Sequence, residues 1–177
     1  DVTEWRRAEE ALRQSEAQLR AIFEAEPECV KLVDADGTIL QMNATGLAML
    51  EADNPAQVIG NKVTQLILPE YRDAYRAFHD SVIRGNRGSM EFEVAGLKGT
   101  QRWLETHAVP MADSGGRTQL LGITRDITER KKNEARLSYM AHYDALTGLP
   151  NRTLFSDRLR QAMIDANRHE RLVGVVF

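Results

Sequence analysis

Three short strand patterns follow one another between residues 90 and 124, and this run constrains the fold more than any other feature of the sequence. Residues 90–94 alternate apolar and charged side chains with a period of two, which is typical of a strand with one buried face. Strand-like segments 102–109 and 119–124 follow after short glycine-containing turns. Strands joined by such short turns run antiparallel, so the sequence predicts a three-stranded meander.

Two more strands are predicted ahead of the meander, over residues 30–33 and 38–42. The tetrapeptide Asp34-Ala35-Asp36-Gly37 separates them, and Asp-Gly between two apolar runs is a strong hairpin signal. A helical stretch, broken by prolines and glycines, covers residues 44–84. The sequence therefore predicts an α+β fold with a five-stranded antiparallel sheet, helices on one face, and a further helix on either side of the domain.

Charge and cysteine content exclude several classes of protein. The 23 basic and 26 acidic residues give a net charge of −3 and are interspersed, so we expect no nucleic-acid partner. Cys29 is the single cysteine, which rules out a disulfide framework. No apolar run approaches the roughly 20 residues that span a bilayer, so we expect no membrane insertion and a cytoplasmic location.

The N-terminal segment has a heptad-like apolar stripe with mostly charged or amide side chains between its members. The stripe consists of Trp5, Ala8, Leu12, Ser15, Leu19 and Ile22. One interpretation is a short parallel coiled coil, which would make the chain a homodimer. The alternative is a single helix that lies along its own domain. Pro27 cannot continue a helix and so ends the segment.

The sequence becomes helical again after Thr128, over residues 129–143. Gly148 and Pro150 are stop and start signals that separate this helix from a second one. Residues 172–177 have the apolar pattern of a buried strand. We therefore expect four segments, which are the helical residues 1–22, the domain 23–128, the linker helix 129–143 and the start of another domain over 144–177.

Three local patterns in the first domain resemble those of the PAS fold. They are the hairpin Val33-Asp34-Ala35-Asp36-Gly37 leading to Asn43, the Trp103 strand with Pro110 and Gly115, and the string Asp126-Ile127-Thr128-Glu129-Arg130. The last pattern is similar to the Asp-Ile-Thr signature that closes many PAS domains and opens a signalling helix. The resemblance implies a sensor domain flanked by signalling helices, with Asp126, Ile127 and Thr128 as the signal relay.

The same signature occurs a second time, at the first residues of the chain. Asp1-Val2-Thr3-Glu4 aligns with Asp126-Ile127-Thr128-Glu129, and the register continues into the helices after both signatures. One interpretation is that Asp1 ends a preceding PAS-like unit. The alternative is a chance similarity between two charged helices.

A second family is indicated by the string Asp144-Ala145-Leu146-Thr147-Gly148-Leu149-Pro150-Asn151-Arg152, which resembles the opening motif of GGDEF domains. In that family the motif ties the incoming helix to a diguanylate cyclase domain. We expect Gly148 to adopt the left-handed turn and Asp144 and Arg152 to pair across it. The resemblance makes a GGDEF domain the covalently linked output partner.

No Gly-Gly-(Asp/Glu)-Glu-Phe string, which holds metal and nucleotide in GGDEF domains, occurs in the 177 residues. We therefore predict no catalytic and no metal-binding residues here, and a parent protein that is a diguanylate cyclase. A parent that fuses a cyclase with a phosphodiesterase is the alternative. A PAS domain that serves only as a ligand-free dimerisation module is another.

Residues of the PAS domain also bear on cofactors. Val58-Ile59-Gly60-Asn61 resembles flavin-binding PAS domains, but Val63 stands where those domains have a reactive cysteine. His79 is the one candidate haem ligand and does not register well with the family's ligand positions. Flavin and haem are therefore disfavoured, and the ligand is unknown. His107, His142 and His169 are too isolated to form a metal site.

We predict that a small-molecule pocket, if the domain has one, has a wall of aromatic and aliphatic side chains. These are Phe78, Val82, Phe92, Trp103 and Leu121. A strand tryptophan such as Trp103 can stack on a flat ligand, although packing in the core is the more common role. The expected function is that of a PAS sensory and dimerisation module that relays a signal to a GGDEF cyclase domain in cyclic di-GMP signalling.

Overall fold

The structure, a computed structural model, describes residues 2–144 and 146–175, with side chains of the first helix from Glu4 onwards. The chain divides into two compact units, Asp1–Thr128 and Glu129–Phe177. The first contains α1 (Val2–Ala25), β1 (Cys29–Val33), β2 (Ile39–Met42), α2 (Ala44–Met49), α3 (Pro69–Ile83), β3 (Gly88–Ala95), β4 (Gln101–Ala112) and β5 (Thr118–Asp126). Helix α4 (Thr128–His142) and helix α5 (Arg152–Arg168) come after them along the chain.

The five strands form one antiparallel sheet in the order β2-β1-β5-β4-β3. This confirms the predicted α+β class, the hairpin and the meander. The hairpin turn is closed by Gly37 at φ 85° and by the Asp34 carboxylate, which accepts from the backbone of Asp36 and Thr38. Glycine adopts this left-handed conformation without the steric penalty of a Cβ atom.

Alternate residues of each strand define an inner face, which packs against α2 and α3, and an outer face. The inner face carries fully buried side chains such as Val33, Phe92 and Leu120. Two short 3₁₀ turns, Pro55–Gln57 and Val63–Gln65, connect α2 with α3. The core therefore lies between the sheet and these helices.

In the second unit, residues 171–175 belong to no strand, which corrects the strand predicted over residues 172–177. A strand needs a neighbour for its backbone hydrogen bonds, and the described part of this unit contributes two helices and one isolated bridge between Tyr143 and Pro150. Val176 and Phe177 lie outside the described residues. None of the helices in residues 2–144 and 146–175 is long and apolar enough to cross a membrane.

Candidate functional site

The sheet ends in a compact polar cluster, here called the C-terminal joint, made of Arg102, Trp103, Asp126, Ile127 and Thr128. The Asp126 carboxylate accepts from the backbone N–H and the hydroxyl of Thr128, at 2.9 and 2.5 Å. Its second oxygen accepts from Arg102 at 3.0 Å. The backbone N–H of Trp103 donates to the Thr128 hydroxyl at 3.0 Å, and Ile127 N–H donates to the Trp103 carbonyl at 2.8 Å. The start of α4 is thereby bonded to strand β4.

The Asp126 carboxylate accepts three of the five hydrogen bonds of this cluster. Partial burial favours the neutral acid, but the hydrogen bonds from Thr128 and the ion pair with Arg102 outweigh burial and lower the pKa of Asp126. Both partners of the ion pair keep about 30% of their side chains exposed. Ile127, in contrast, is 4% exposed. The three residues predicted as a relay therefore lie together, joined by Arg102, which sequence reasoning does not identify.

A second polar connection, here called the N-terminal joint, is made by the side chain of Asn43, which is fully buried. Its amide nitrogen donates to the carbonyl groups of Phe23, Glu26 and Glu28, at 2.8–3.3 Å. Its amide oxygen accepts from the N–H groups of Val30 and Gly46, both at 3.0 Å. One side chain thus joins the end of α1, the first strand and the start of α2. The available sequence signal is an asparagine directly before a helical segment, where it is a preferred N-cap.

The interior of the domain contains a small cavity, about 20 Å³, between the inner face of the sheet and the helices. Its wall is formed by Cys29, Lys31, Ile39, Met42, Met49, Leu50, Val63, Leu66, Ile67, Phe92, Val94, Leu104 and Thr124. This volume holds about one water molecule. The wall is apolar except for the ammonium group of Lys31, the hydroxyl of Thr124 and the thiol of Cys29, whose pKa is raised by burial.

Of the five side chains predicted to line a pocket, Phe92 alone lines this cavity. Val82 is buried in the core, and Phe78 packs against the core's margin. Trp103 and Leu121 alternate with the buried residues Leu104 and Leu120, so they lie on the outer face. Trp103 makes an edge-to-face contact with Tyr71, with ring centroids 5.5 Å apart. The structure thus places Trp103 and Leu121 away from this cavity.

The residues considered for cofactors have separate surroundings. Cys29 and Val63 both line the cavity. His79 is 5% exposed, and its Nε2 lies 2.8 Å from the Asp34 carbonyl oxygen, which can only accept, so Nε2 carries a proton. His107 lies beside Glu105, whereas His142 and His169 contact backbone carbonyls of their own helices. The described residues contain no group of three or more potential metal ligands.

In the second unit, the turn between α4 and α5 is organised by two side chains. The Asp144 carboxylate accepts from Leu146 N–H and from the N–H and hydroxyl of Thr147, and these bonds lower the pKa of Asp144. Asn151 caps α5 by accepting from Leu154 N–H and also donates to the Ala141 carbonyl near the end of α4.

Other parts of the predicted motif have different outcomes. Gly148 has φ 68°, as expected for the left-handed turn. Leu146 and Leu149 are exposed. Asp144 bonds to the turn and has no ion pair with Arg152 among the described contacts, which corrects the expected pairing. Ala145 lies outside the described residues.

The stripe of α1 is an exposed apolar surface of the first unit. Trp5, Leu12, Leu19 and Ile22 are each about 60–70% exposed. Helix α1 therefore does not bury this stripe against its own domain. Near the end of α1, Leu19 and Phe23 line a groove of about 830 Å³ with outer-face residues that include Leu121.

Comparisons with known proteins agree with this architecture. The family model of the PAS fold matches residues 23–132, and that of the diguanylate cyclase GGDEF domain matches residues 141–177. The PAS domain of an HTR-like protein from Haloarcula marismortui superimposes with a TM-score of 0.62 at 25% identity, covering 69% of this chain and 99% of that one.

Two curated relatives extend the comparison. Cyclic di-GMP phosphodiesterase PdeR of Escherichia coli is 30% identical over 156 residues, which are 84% of this chain and 22% of the relative. Diguanylate cyclase TpbB of Pseudomonas aeruginosa is 49% identical over 43 residues, which are 24% of this chain and 10% of the relative. The chain spans less than a quarter of either relative.

Proposed function

We propose that this chain is a cytoplasmic sensory and dimerisation module. The chain belongs to the PAS fold family and is joined to the opening of a GGDEF domain. Its task is to relay a signal to a diguanylate cyclase output domain in cyclic di-GMP signalling. The chain itself is proposed not to turn over GTP. A parent that fuses cyclase and phosphodiesterase domains is the second candidate, and the similarity to PdeR over both segments favours it.

The C-terminal joint is the observation that carries this proposal. Strand β5 ends at Asp126 and helix α4 begins at Thr128, so only Ile127 separates sheet from helix. Because Asp126 and Thr128 are bonded to Arg102 and Trp103 of β4, a shift between β4 and β5 must change the bonds at the first turn of α4. Helix α4 then continues to the motif at Asp144 that opens the GGDEF segment.

The relay is tested by changing the rotational phase of α4 in the full-length parent. Removing four residues from the exposed middle of α4 turns the downstream segment by about 40° relative to its original phase, whereas removing two turns it by about 160°. We expect the four-residue deletion to keep most of the cyclic di-GMP output and the two-residue deletion to change it severalfold. Removing seven residues, which shifts the phase by only about 20°, is the matched control for length.

Cyclic di-GMP is measured in cells that express each variant at equal levels. Output that falls steadily with the number of residues removed, without regard to phase, would show that α4 is a passive tether. Equal output from all three deletions would have the same meaning. In either case the relay proposal would be withdrawn.

The proposed homodimer is parallel and uses α1 together with the linker helix. It is supported by the heptad spacing of Trp5, Leu12, Leu19 and Ile22 and by their exposure on a helix of 24 residues. An exposed apolar stripe of this kind marks an interaction surface. In α4, Leu137 and Met140 are also more than half exposed. A second copy of the same chain supplies an identical stripe.

We also propose that the interior holds neither flavin nor haem. This is supported by the volume of the cavity, about 20 Å³, and by Val63 at the position of the flavin-reactive cysteine. Each cofactor is far larger than the single water molecule that such a volume accommodates.

A further inference from the structure

A lysine side chain lies in the hydrophobic core of the first unit. Lys31 is the middle residue of β1 and is 4% exposed on the inner face, between Cys29 and Val33. Its ammonium group donates to the Thr124 hydroxyl at 2.9 Å and lies 5.8 Å from the centre of the Phe92 ring. Lysine is rarely buried without a carboxylate partner, and none of the described residues provides one.

The ammonium group of Lys31 has more hydrogen-bond donors than partners among the described residues. A protonated lysine has three donors, and Lys31 uses one of them on Thr124. Leaving such groups unpaired costs free energy, and burial accordingly lowers the pKa of Lys31, with Cys29 acting weakly in the opposite direction. An acceptor that carries negative charge would complete this interior.

We propose that the cavity binds a short-chain carboxylic acid, with its carboxylate on Lys31 and its alkyl group among the apolar side chains of the wall. The cavity wall is amphipathic. Lys31 and Thr124 supply an ammonium group and a hydroxyl that are bonded to each other, and most of the other lining side chains are aliphatic or aromatic. The proposal rests on the sensory function proposed above and names the class of ligand that the sensor takes.

The size of the cavity limits the ligand. A volume of about 20 Å³ holds one water molecule, so even a small acid must displace part of the wall. Met42 and Met49 both line the cavity, and methionine side chains adapt their shape more readily than branched ones. We therefore expect acids of one to four carbons to bind and longer chains to be excluded.

The position of Lys31 also links the ligand to the C-terminal joint. Lys31 on β1 bonds to Thr124 on β5, and Thr124 in turn shares a hydrogen bond of 2.8 Å with Thr106 on β4. Thr124 is two residues before Asp126, on the same face of the same strand. A carboxylate that draws the ammonium group away from Thr124 would therefore alter the β4–β5 pair just ahead of the joint.

The test uses the purified 177-residue chain and the sodium salts of formate, acetate, propionate and butyrate, with sodium chloride at equal ionic strength as reference. When an acid exceeds its dissociation constant about fivefold, we expect the melting temperature to rise by about 2–4 °C. The corresponding neutral amides, acetamide and propionamide, should give no rise. Lys31→Met, which keeps an unbranched side chain one atom shorter and removes the charge, should melt at or above the wild-type temperature in chloride and show no response to any acid.

Lys98→Met is the matched control, because Lys98 pairs with Asp53 on the surface and should leave the response intact. A response that survives in Lys31→Met would overturn the proposal, as would the absence of a response to all four acids. Crystals grown in propionate give an independent result, since density for a carboxylate at Nζ is expected and a lone water there would contradict it. None of these measurements depends on cyclase output. A passive α4 in the deletion test would therefore contradict the proposed relay, whereas a lack of response to the acids would contradict only the proposed ligand.

Discussion

At the N-terminal joint the fully buried side-chain amide of Asn43 makes five hydrogen bonds. At the C-terminal joint the bonds come from a charged pair, Asp126 and Arg102, that water still reaches. Buried hydrogen bonds that cannot be replaced by water hold a single geometry. A partly buried ion pair that water reaches contributes less than a fully buried network and is more easily rearranged. The difference indicates that α1 is fixed to the sheet, whereas the start of α4 can change its bonds without unfolding the domain.

The largest effect is expected from Asn43→Ala, which removes all five side-chain bonds of the N-terminal joint. It leaves two N–H groups and up to three carbonyl groups of the joint without this partner, so the free energy of unfolding should fall by about 3 kcal/mol or more. Chemical denaturation of the purified chain measures this change. Asn61→Ala is the control, because Asn61 makes one exposed bond to Gln57 and should cost less than about 1 kcal/mol.

Equal losses for the two asparagine variants would show that the N-terminal joint is no stronger than an ordinary surface contact. Hydrogen exchange of the amides near residue 25 provides a local check. Exchange there should accelerate in Asn43→Ala more than it does across the central strands.

The sheet is predictable from sequence because strand alternation and turn residues act locally. Asp34-Ala35-Asp36-Gly37 specifies its own hairpin, and the period of residues 90–94 identifies a buried face without knowledge of the partner strand. Side-chain partners from distant segments are not predictable in the same way. Arg102 lies 24 positions before Asp126, and the identity of its partner follows only from the β4–β5 register.

Two other outcomes show how face assignment limits sequence reasoning. Leu121 is predicted in the pocket wall because it is an apolar strand residue, but in the 118–126 strand the alternate residues Leu120 and Thr124 are the buried ones. Lys31 escapes a search for apolar positions, although its place between Cys29 and Val33 at a spacing of two predicts a buried side chain once the strand is assigned. A regular alternation of apolar residues therefore identifies a strand. Which of the alternate residues face the core must be known before the residues of a pocket can be named.

An effect of intermediate size is expected at the stripe of α1. Leu12→Glu together with Leu19→Glu places two charges on each copy of the proposed interface, and we expect the dimer dissociation constant to rise about a hundredfold, equivalent to about 2.8 kcal/mol. Sedimentation across micromolar concentrations measures it. The pair Gln14→Glu and Ala21→Glu adds the same charges on the opposite side of the exposed helix and should leave the constant nearly unchanged.

The two pairs of substitutions test whether α1, which is firmly attached to the sheet, has a partner outside its own domain. If both pairs of substitutions weaken the dimer equally, the effect comes from charge and not from the stripe. If neither changes sedimentation, α1 is not the interface. The rigid N-terminal joint would then have to serve another purpose.

The smallest effect is expected from Asp126→Asn, which preserves the shape of the side chain and removes the charge of the C-terminal joint. Since the native pKa of Asp126 is lowered, its ionised form stabilises the folded state, and this contribution is complete above the ordinary aspartate pKa of about 3.9. It disappears as the pH falls through the lower native pKa. The variant should lose less than about 1 kcal/mol at pH 7, because water reaches the ion pair, and this gap should close under strongly acidic conditions. Chemical denaturation at several pH values below 7 measures it. A gap that stays constant throughout would mean that the lost hydrogen-bond geometry, and not the charge, is responsible.

The same substitution in the full-length parent separates stability from relay. Asp126→Asn should change cyclic di-GMP output although the domain remains folded, because the charge links β4, β5 and the first turn of α4. Asp113→Asn is the matched control, since Asp113 also has a lowered pKa and an arginine partner, Arg117, but lies in the β4–β5 turn away from the joint. Its output should equal that of the wild type. If the two variants behave alike, the C-terminal joint is a structural cap, and its rearrangement cannot be the step that carries the signal. A change confined to Asp126→Asn would instead identify the weaker of the two joints as the point where the sheet controls the helix.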